Sequence, residues 1–243
     1  GCIPFAHTFA CFQSRKCIDQ LFLSAGFAEL NVKLVGSDPG IMALYNGASH
    51  MGLEDMGILQ NIPNLTLIEP CDTVQLASVL HQVKDTYGLH YIRMNRKNAN
   101  TVYEEGTEFQ IGKGLVLKEG GDVTIIASGI MVELSLKAAE LLEAEGIHAT
   151  VIDMFTWKPL DEELVLAYAE KTGAIVTAEN HRIATGLGSA VANLLSEHQM
   201  VPLGRTGVGN VYGEVGVLPY LLERFEMRPE DIAQKAKQTI ARK

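Results

Sequence analysis

The chain has 243 residues, 47% of them hydrophobic and 20% charged, and its 29 acidic against 20 basic side chains give a formal net charge of −9. This composition excludes a disordered chain, and the acidic balance offers no basic stripe for a nucleic acid. No apolar run reaches the roughly 18 residues that a membrane span needs. We therefore expect a cytoplasmic protein with neither a nucleic-acid nor a membrane partner.

Short β-branched runs alternate with amphipathic stretches, which is typical of parallel sheets covered by helices on both faces. In the first half we predict helices at about 13–29, 51–60 and 73–87, and strands at 32–35, 65–68 and 91–94. Residues 36–50 contain three glycines together with Pro39 and Asn46. They are predicted to form a long loop, here called the glycine loop, of the kind that often carries function.

The same alternation restarts after residues 120–121. We predict strands at 123–127, 149–152, 174–178 and near 203, and helices at 131–145, 161–171, after 186, through 220–225 and at 229–241. The sequence therefore predicts an α/β protein of two three-layer α/β/α domains with mainly parallel sheets. The first domain is predicted at 1–105, a linker at 106–120 and the second domain at 121–243.

Aromatic residues and a histidine are the first candidates for function. Phe9 and Phe12 are predicted to lie one helical turn apart, with Arg15 another turn on, on a face that could stack against a flat heteroaromatic ring. Two phenylalanines at this spacing are also typical of a core. His50 closes the glycine loop, which follows a strand at the edge where open α/β sheets bind ligands.

Polar clusters at predicted strand ends are the second group of candidates. Arg93, Arg96 and Lys97 lie at the end of a predicted strand, where they form either a binding site for an anion or a solvated strand terminus. Residues 179–181 (Glu-Asn-His) end another strand, and residues 186–188 (Gly-Leu-Gly) open the next helix. The glycine pair is weak evidence for anion binding, and close packing of that helix on the sheet explains it better.

No metal site is expected in this chain. Its four cysteines form no CxxC pair and have no histidine partners at zinc spacing.

Taken in order, these segments resemble the C-terminal half of a transketolase, and the resemblance covers nearly the whole chain. The segments that carry it are Pro4-Phe5, Thr8-Phe9-Ala10-Cys11-Phe12, Gly47-Ala48-Ser49-His50, Leu53-Glu54-Asp55, Ile62-Pro63-Asn64, Pro70-Cys71-Asp72, Tyr91-Ile92-Arg93, Phe155-Thr156-Trp157-Lys158-Pro159-Leu160-Asp161 and Glu179-Asn180-His181. The resemblance implies a pyrimidine-binding domain followed by a transketolase C-terminal domain. It also implies thiamine diphosphate as the cofactor for transfer of a two-carbon ketol unit from a ketose to an aldose.

The resemblance also implies roles for individual residues. Phe9 and Phe12 match the pocket for the cofactor's pyrimidine, and Arg15, also expected to bind the cofactor, stands where many transketolases carry a tyrosine. His50 matches the histidine of the glycine loop that acts on the substrate and is our catalytic candidate. Arg96 matches the arginine that holds the sugar-phosphate tail.

Two further substrate-binding candidates depart from the family pattern. Where Asp38 stands, transketolases commonly have a histidine that contacts phosphate, and where Asn46 stands they have an aspartate. A carboxylate at position 38 repels a dianionic phosphate, which predicts a preference for a short, unphosphorylated or differently charged acceptor. Arg96 argues for the opposite preference.

The resemblance implies a partner as well. The glutamate that protonates the pyrimidine nitrogen, and the domain that holds the diphosphate with its Mg²⁺ or Ca²⁺, fall before the first residue. The first domain is therefore expected to be N-terminally incomplete and the metal to bind the partner. We expect a split enzyme that acts on sugars or sugar phosphates only with an N-terminal diphosphate-binding subunit, assembled as a homodimer or heterotetramer.

Two alternatives stay open at this point. A subunit of deoxyxylulose-phosphate synthase or of a 2-oxoacid dehydrogenase has the same two-domain arrangement, and such an enzyme releases carbon dioxide from pyruvate. A catalytically silent assembly partner is the second alternative, supported by the missing first element and by the changes at Asp38 and Asn46. Calorimetry with thiamine diphosphate, with and without the N-terminal half, separates a silent partner from an active one.

Overall fold

The computed structural model describes residues 2–97 and 100–243; Gly1, Asn98 and Ala99, all within the predicted first domain, lie outside the described residues. The strands in the described part of the chain are β1 (Phe5–Phe9), β2 (Lys33–Ser37), β3 (Leu65–Ile68), β4 (Leu89–Met94), β5 (Leu115–Lys118), β6 (Val123–Ala127), β7 (Ala149–Asp153), β8 (Thr156–Lys158), β9 (Ile175–Arg182) and β10 (Leu203–Val208). They form two mainly parallel five-stranded sheets with the orders β1-β2-β4-β3-β8 and β10-β9-β6-β7-β5. The predicted α/β class with mainly parallel sheets is confirmed.

Helices flank both sheets. They are α1 (Ala10–Arg15), α2 (Ile18–Gln20), α3 (Asp55–Leu59), α4 (Thr73–Asp85), α5 (Met131–Ala144), α6 (Glu162–Thr172), α7 (Leu187–His198), α8 (Leu218–Arg224) and α9 (Pro229–Ile240). A π-helical segment (Leu21–Phe27) continues α2, and a 3₁₀ segment (Gly40–Asn46) lies in the glycine loop. Within residues 2–97 and 100–243, no helix combines the length and the apolar character needed to cross a membrane.

Three of the four edge strands in the described part of the chain were not predicted from the sequence, whereas all the inner strands were. The central strand β6 is buried along its whole length and has the predicted bounds, because a strand covered on both faces is a continuous apolar run. The unpredicted strands β1, β5 and β8 all lie at sheet edges. Strands β1 and β5 are partly solvated and β8 has only three residues, so none of them has the apolar run that the prediction relied on.

The N-terminal helix differs from its prediction. One helix was predicted at 13–29, but α1 begins at Ala10 and ends at Arg15, and Phe9 is the last residue of β1 with an extended backbone (φ −59°, ψ 144°). Phe9 and Phe12 therefore do not share a helix face. The strand passes into the helix without a loop, which the apolar spacing alone does not reveal.

The predicted linker also contains regular structure. Its residues 115–118 form β5, which pairs antiparallel with β7 in the second sheet. The domain limits at 105 and 121 themselves stay a prediction.

The two halves of the chain are joined by shared backbone pairing. Strand β8 follows β7 in the chain, yet it pairs antiparallel with β3 of the first sheet. Two further backbone bonds run between the halves, from Glu69 N–H to the Phe155 carbonyl (2.7 Å) and from Arg182 N–H to the Leu53 carbonyl (2.7 Å). These bonds fix the strand ends of the second half against the loops of the first.

A buried arginine lies at the same junction. The Arg93 side chain is fully buried and pairs with Asp55 (Nε to Oδ2, 2.9 Å) and with Glu69. Its Nη2 donates to the carbonyls of Gly52 (3.0 Å) and Asn180 (2.8 Å). Both predicted roles for the run of cations, an anion site and a solvated strand terminus, are therefore wrong for Arg93, because two buried carboxylates and two carbonyls compensate its charge inside the protein.

Candidate functional site

The candidate site lies at the carboxyl edge of the first sheet. Phe9 ends β1, Asp38 follows β2 and Arg96 lies two residues beyond β4. The three strands are neighbours, in register with Phe9 opposite Ser37 and Ser37 opposite Met94. Parallel strands bring their carboxyl ends to one edge, so residues far apart in the sequence meet at the usual ligand position of such a sheet.

Three half-buried rings at this edge form what we call the aromatic wall: Phe9, Phe12 and His50. The His50 ring lies 5.1 Å from each phenylalanine ring, at interplanar angles of 82° and 66°, and the phenylalanines lie 5.9 Å apart. Such edge-to-face contacts are favourable. The Arg96 guanidinium lies 4.7 Å from the Phe9 ring and the Lys16 ammonium 4.9 Å from the Phe12 ring. The wall is thus a partly exposed, largely apolar surface between two cations.

Arg15 stabilises the backbone beside the aromatic wall. Its Nη2 donates to the Met51 carbonyl (2.7 Å) and its Nη1 to the Ser49 carbonyl (3.4 Å), on either side of His50. Its Nε pairs with Glu54. The structure therefore places Arg15 where it holds the end of the glycine loop, and contact between Arg15 and a cofactor stays a prediction.

Asp38 and Arg96, which the sequence set in opposition, form one ion pair. Arg96 donates from Nε to Asp38 Oδ2 (2.6 Å) and from its backbone N–H to Oδ1 (3.1 Å), and Nη2 also contacts the carboxylate. The Asp38 side chain is 9% exposed and that of Arg96 is 44% exposed. The carboxylate therefore neutralises much of the charge that Arg96 offers to an anion.

This ion pair borders a cavity of about 140 Å³, which we call the tail cavity. Its lining brings together three predicted substrate-binding residues, namely Asp38, Asn46 and Arg96. Tyr45, which is 67% exposed, lines the same cavity, and no role was predicted for it. Arg96 lies against Phe9 of the aromatic wall and also lines the tail cavity, so a molecule with a ring at the wall could extend a polar end into the cavity.

The glycine loop has an unusual backbone. Besides Gly40 (φ +56°) and Gly47 (φ +66°), the non-glycine residues Asp38 (φ +48°) and Leu44 (φ +46°, ψ −110°) have positive φ values. Such conformations are unfavourable for residues with a Cβ, and they persist only where the surroundings impose them. The loop shape is therefore set by contacts with the rest of the protein.

The second half of the chain supplies one of those contacts through Asn180. Its side-chain amide binds the backbone of the glycine loop at Pro39 and Ile41. The sequence marked residues 179–181 as a strand end but gave no role to Asn180. Nothing in the local pattern links a residue to a partner about 140 positions away, so the sequence carried no signal for this contact.

The glycine pair that opens α7 has a packing role, as expected. A Cβ on Gly186 would overlap the Glu179 carboxylate, and one on Gly188 would lie 2.7 Å from the Arg205 side chain. Among the described residues, no group of three or more His, Cys, Asp or Glu side chains could hold a metal ion.

Comparisons with known proteins identify the family. Residues 1–101 match the transketolase pyrimidine-binding domain and residues 112–232 match the transketolase C-terminal domain. The chain is 49% identical, over its full length and 76% of the relative, to a 6-deoxy-6-sulfo-D-fructose transketolase subunit of Clostridium sp. (strain MSTE9). It is 36% identical to a putative transketolase C-terminal section of Methanocaldococcus jannaschii, over 97% of this chain and 74% of the relative.

A solved structure gives the same result. It is described as a split gene transketolase, inactive beta4 tetramer, and it superposes with a TM-score of 0.94 at 40% identity, covering 100% of this chain and 78% of the other. The chain therefore belongs to the transketolase family, as the pyrimidine-binding and C-terminal part of a transketolase-type transferase.

Proposed function

We propose that this chain forms the pyrimidine side of a thiamine diphosphate site and, with a diphosphate-binding partner chain, transfers a two-carbon ketol unit from a ketose to an aldose. The observation that carries the proposal is the aromatic wall at the carboxyl edge of the first sheet. A half-buried face of this kind fits a flat aminopyrimidine ring.

Each part of the site has a distinct task in this proposal. Bound thiamine diphosphate supplies the carbanion chemistry that carries the two-carbon unit. Phe9 and Phe12 contact the pyrimidine and exclude water from it. Ser49 Oγ lies 2.9 Å from Nδ1 of His50, which leaves Nε2 of His50 to exchange a hydrogen bond or a proton with a substrate oxygen.

The cofactor's charged end is proposed to bind another polypeptide. The relative from Clostridium is named as a subunit, and the related split gene transketolase is described as an inactive tetramer of one chain type. Both descriptions support an N-terminal subunit that holds the diphosphate and its Mg²⁺ or Ca²⁺. The active assembly is then a heterotetramer or a larger complex of both chains.

The tail cavity suggests the substrate class. Asp38 already occupies one side of Arg96, so a dianionic phosphate would meet a carboxylate as well as a cation. A phosphate monoester carries about −1.5 to −2 charges at neutral pH, whereas a sulfonate carries one. We propose a substrate whose tail is neutral or singly charged, which agrees with the sulfonated sugar in the name of the Clostridium relative.

Replacement of His50 tests the proposed function. The chain is assembled with a diphosphate-binding transketolase subunit, thiamine diphosphate and Mg²⁺, and ketol transfer between a ketose and an aldose is measured. We expect His50→Ala to lower kcat/KM by about 10²- to 10⁴-fold, the usual range for loss of an acid–base group. The matched control is His148→Ala, because His148 is an exposed histidine of the second half.

Three outcomes would contradict the proposal. Equal activity of the two variants would remove His50 from the reaction. Release of carbon dioxide from pyruvate without ketol transfer would favour deoxyxylulose-phosphate synthase or a 2-oxoacid dehydrogenase. Absence of thiamine diphosphate binding in the assembled pair, measured by calorimetry, would favour a silent assembly partner.

A further inference from the structure

Asn180 lies on β9, in the second half of the chain, and is fully buried against the glycine loop of the first half. Its Oδ1 accepts the backbone N–H of Ile41 (2.9 Å), and its Nδ2 donates to the backbone carbonyl of Pro39 (3.0 Å). Its own backbone carbonyl accepts Nη2 of the buried Arg93 (2.8 Å). Both the oxygen and the nitrogen of the Asn180 side-chain amide are thus bonded to the backbone of the glycine loop.

The loop backbone fits closely around this amide. Gly40 has a positive φ of 56°, and a Cβ at that position would overlap both the side chain and the carbonyl of Asn180. The Gly40 N–H bonds the Gly52 carbonyl (3.0 Å), so this bond closes residues 40–52 into one segment. Asn180 binds the segment beside the closing bond, at Pro39 and Ile41. The segment contains His50.

Backbone hydrogen bonds between residues three apart hold the part of the segment that leads to the histidine. The Gly47 N–H bonds the Leu44 carbonyl (3.2 Å), and the His50 N–H bonds the Gly47 carbonyl (3.0 Å). Leu44 lies between Asn180 and these bonds with an unfavourable backbone conformation (φ +46°, ψ −110°). Because local preference does not favour this path, the orientation of His50 depends on restraints from outside the loop.

We propose that Asn180 is a positioning residue, which acts from the second half of the chain to set the orientation of His50 at the aromatic wall. This inference rests on the proposed function, since it assigns a consequence of the loop contact to the same reaction. All the site residues that we predicted lie in the first half of the chain. Asn180 would give the second half a role at the same site. An amide suits the task because it donates and accepts at once, whereas an aspartate lacks the donor. An alanine leaves the Ile41 N–H buried without a partner, and it removes one of two donors from the Pro39 carbonyl, which still accepts the Met42 N–H (3.0 Å).

The first test compares Asn180→Ala with Thr177→Val. Thr177 is equally buried on the same strand, and its Oγ1 has no hydrogen-bond partner among the described residues. We expect Asn180→Ala to lower kcat/KM of the assembled enzyme by about 10²-fold, as misplacement of a reacting group by about 1 Å can do, with kcat reduced more than KM is raised. Thr177→Val should change kcat/KM by less than about twofold, in line with its lack of a polar partner.

A double-mutant cycle with His50→Ala separates positioning from general loss of structure. If Asn180 acts through His50, the double variant should be as slow as His50→Ala alone, within about twofold, because there is no histidine left to misplace. Multiplying effects of the two substitutions would overturn the proposal.

Amide hydrogen exchange tests the contact without any activity measurement. Asn180→Ala should accelerate exchange of the Ile41 amide and of the following loop amides, while Thr177→Val should leave their protection unchanged. Unchanged protection in Asn180→Ala overturns the inference even if the enzyme is slow. If His50→Ala is fully active, the proposed role of His50 fails, and with it the consequence that we assign to Asn180, even where exchange confirms the contact with the loop.

Discussion

The carboxyl edges of the two sheets face different surroundings. At the first edge the aromatic wall is half-buried and Arg96 is 44% exposed. At the second edge the polar residues Asp153, Asn180 and His181 are fully buried. Both sheets are mainly parallel, and ligands of such sheets bind beyond the carboxyl ends of the strands, so each sheet has an edge where a ligand could bind. The comparison shows that the neighbouring half of the chain decides whether polar residues at such an edge meet a substrate or the protein itself.

Burial changes the chemistry of the second edge. It raises the pKa of Asp153 to about 7 and that of Glu179 to about 8, because a charged carboxylate is poorly solvated there. It lowers the pKa of His181 to about 4 for the same reason. These side chains favour their neutral forms and are held by protein groups, as two backbone N–H groups of α7 hold Glu179 (2.8 and 2.9 Å).

Two arginines three residues apart give the largest expected contrast between a buried and an open position. Arg93→Met leaves Asp55 and Glu69 buried without a counter-charge, and loss of one partner of a buried pair costs about 3–5 kcal/mol in the free energy of unfolding. Arg96→Met removes a cation that is 44% exposed, and exposed pairs contribute about 0–1 kcal/mol. Urea unfolding of both variants measures the difference.

Similar losses in the two variants would contradict the distinction between the buried and the open position. If Arg93→Met does not fold, Arg93→Lys keeps the charge but not the fork that reaches four acceptors. We expect Arg93→Lys to be less stable than both the wild type and Arg96→Met, but more stable than Arg93→Met.

The second contrast concerns the pH dependence of stability at the buried edge. The ordinary pKa of an aspartate, 3.8, is raised to about 7 for Asp153 in the folded protein. Between these values the folded state binds a proton that the unfolded state has lost, so stability falls as pH rises, by up to about 1.4 kcal/mol per pH unit. Asp153→Asn should remove this part of the slope in unfolding curves recorded from pH 4 to 7.

Asp85 provides the control for the buried carboxylate, because its side chain is 74% exposed. Asp85→Asn should leave the slope as in the wild type. A slope that Asp153→Asn does not alter would mean that Asp153 is ionised in the folded protein, and that the donors Tyr103 and Gln75, both 2.7 Å from Oδ2, outweigh its burial.

The smallest expected effect concerns the open edge. Asp38→Asn keeps an acceptor for the Arg96 N–H but removes the negative charge from the tail cavity. We expect the ratio of kcat/KM for a phosphorylated over an unphosphorylated substrate to rise about fivefold, since two unit charges about 4 Å apart in water interact by about 1 kcal/mol. Glu54→Gln is the control, because Glu54 pairs with Arg15 outside the tail cavity, and it should leave the ratio unchanged. An enzyme that already prefers phosphate strongly would contradict our substrate class.

The sequence by itself determined the class of the fold and many element bounds. Strands β3 and β6 were predicted to the residue, and α4, α5 and α9 to within two residues at each end. Their apolar periodicity and their helix ends are local signals, such as Asp72, whose side chain accepts the Gln75 N–H at the start of α4. The residues of the aromatic wall, and Asp38, Asn46 and Arg96 of the tail cavity, were also identified through the resemblance to transketolases, and their roles stay predictions.

Only the tertiary structure decided which of the polar residues face a ligand. Arg93 and Arg96 belong to the same run of cations at the end of a strand. Arg93 nevertheless pairs with buried carboxylates, whereas Arg96 borders the tail cavity. The edge strand β8, the ion pair of Asp38 with Arg96 and the contact of Asn180 with the glycine loop all join residues far apart along the chain. Local patterns report whether a side chain prefers to be buried, but the partner that compensates a buried charge or amide is set by how the two halves pack.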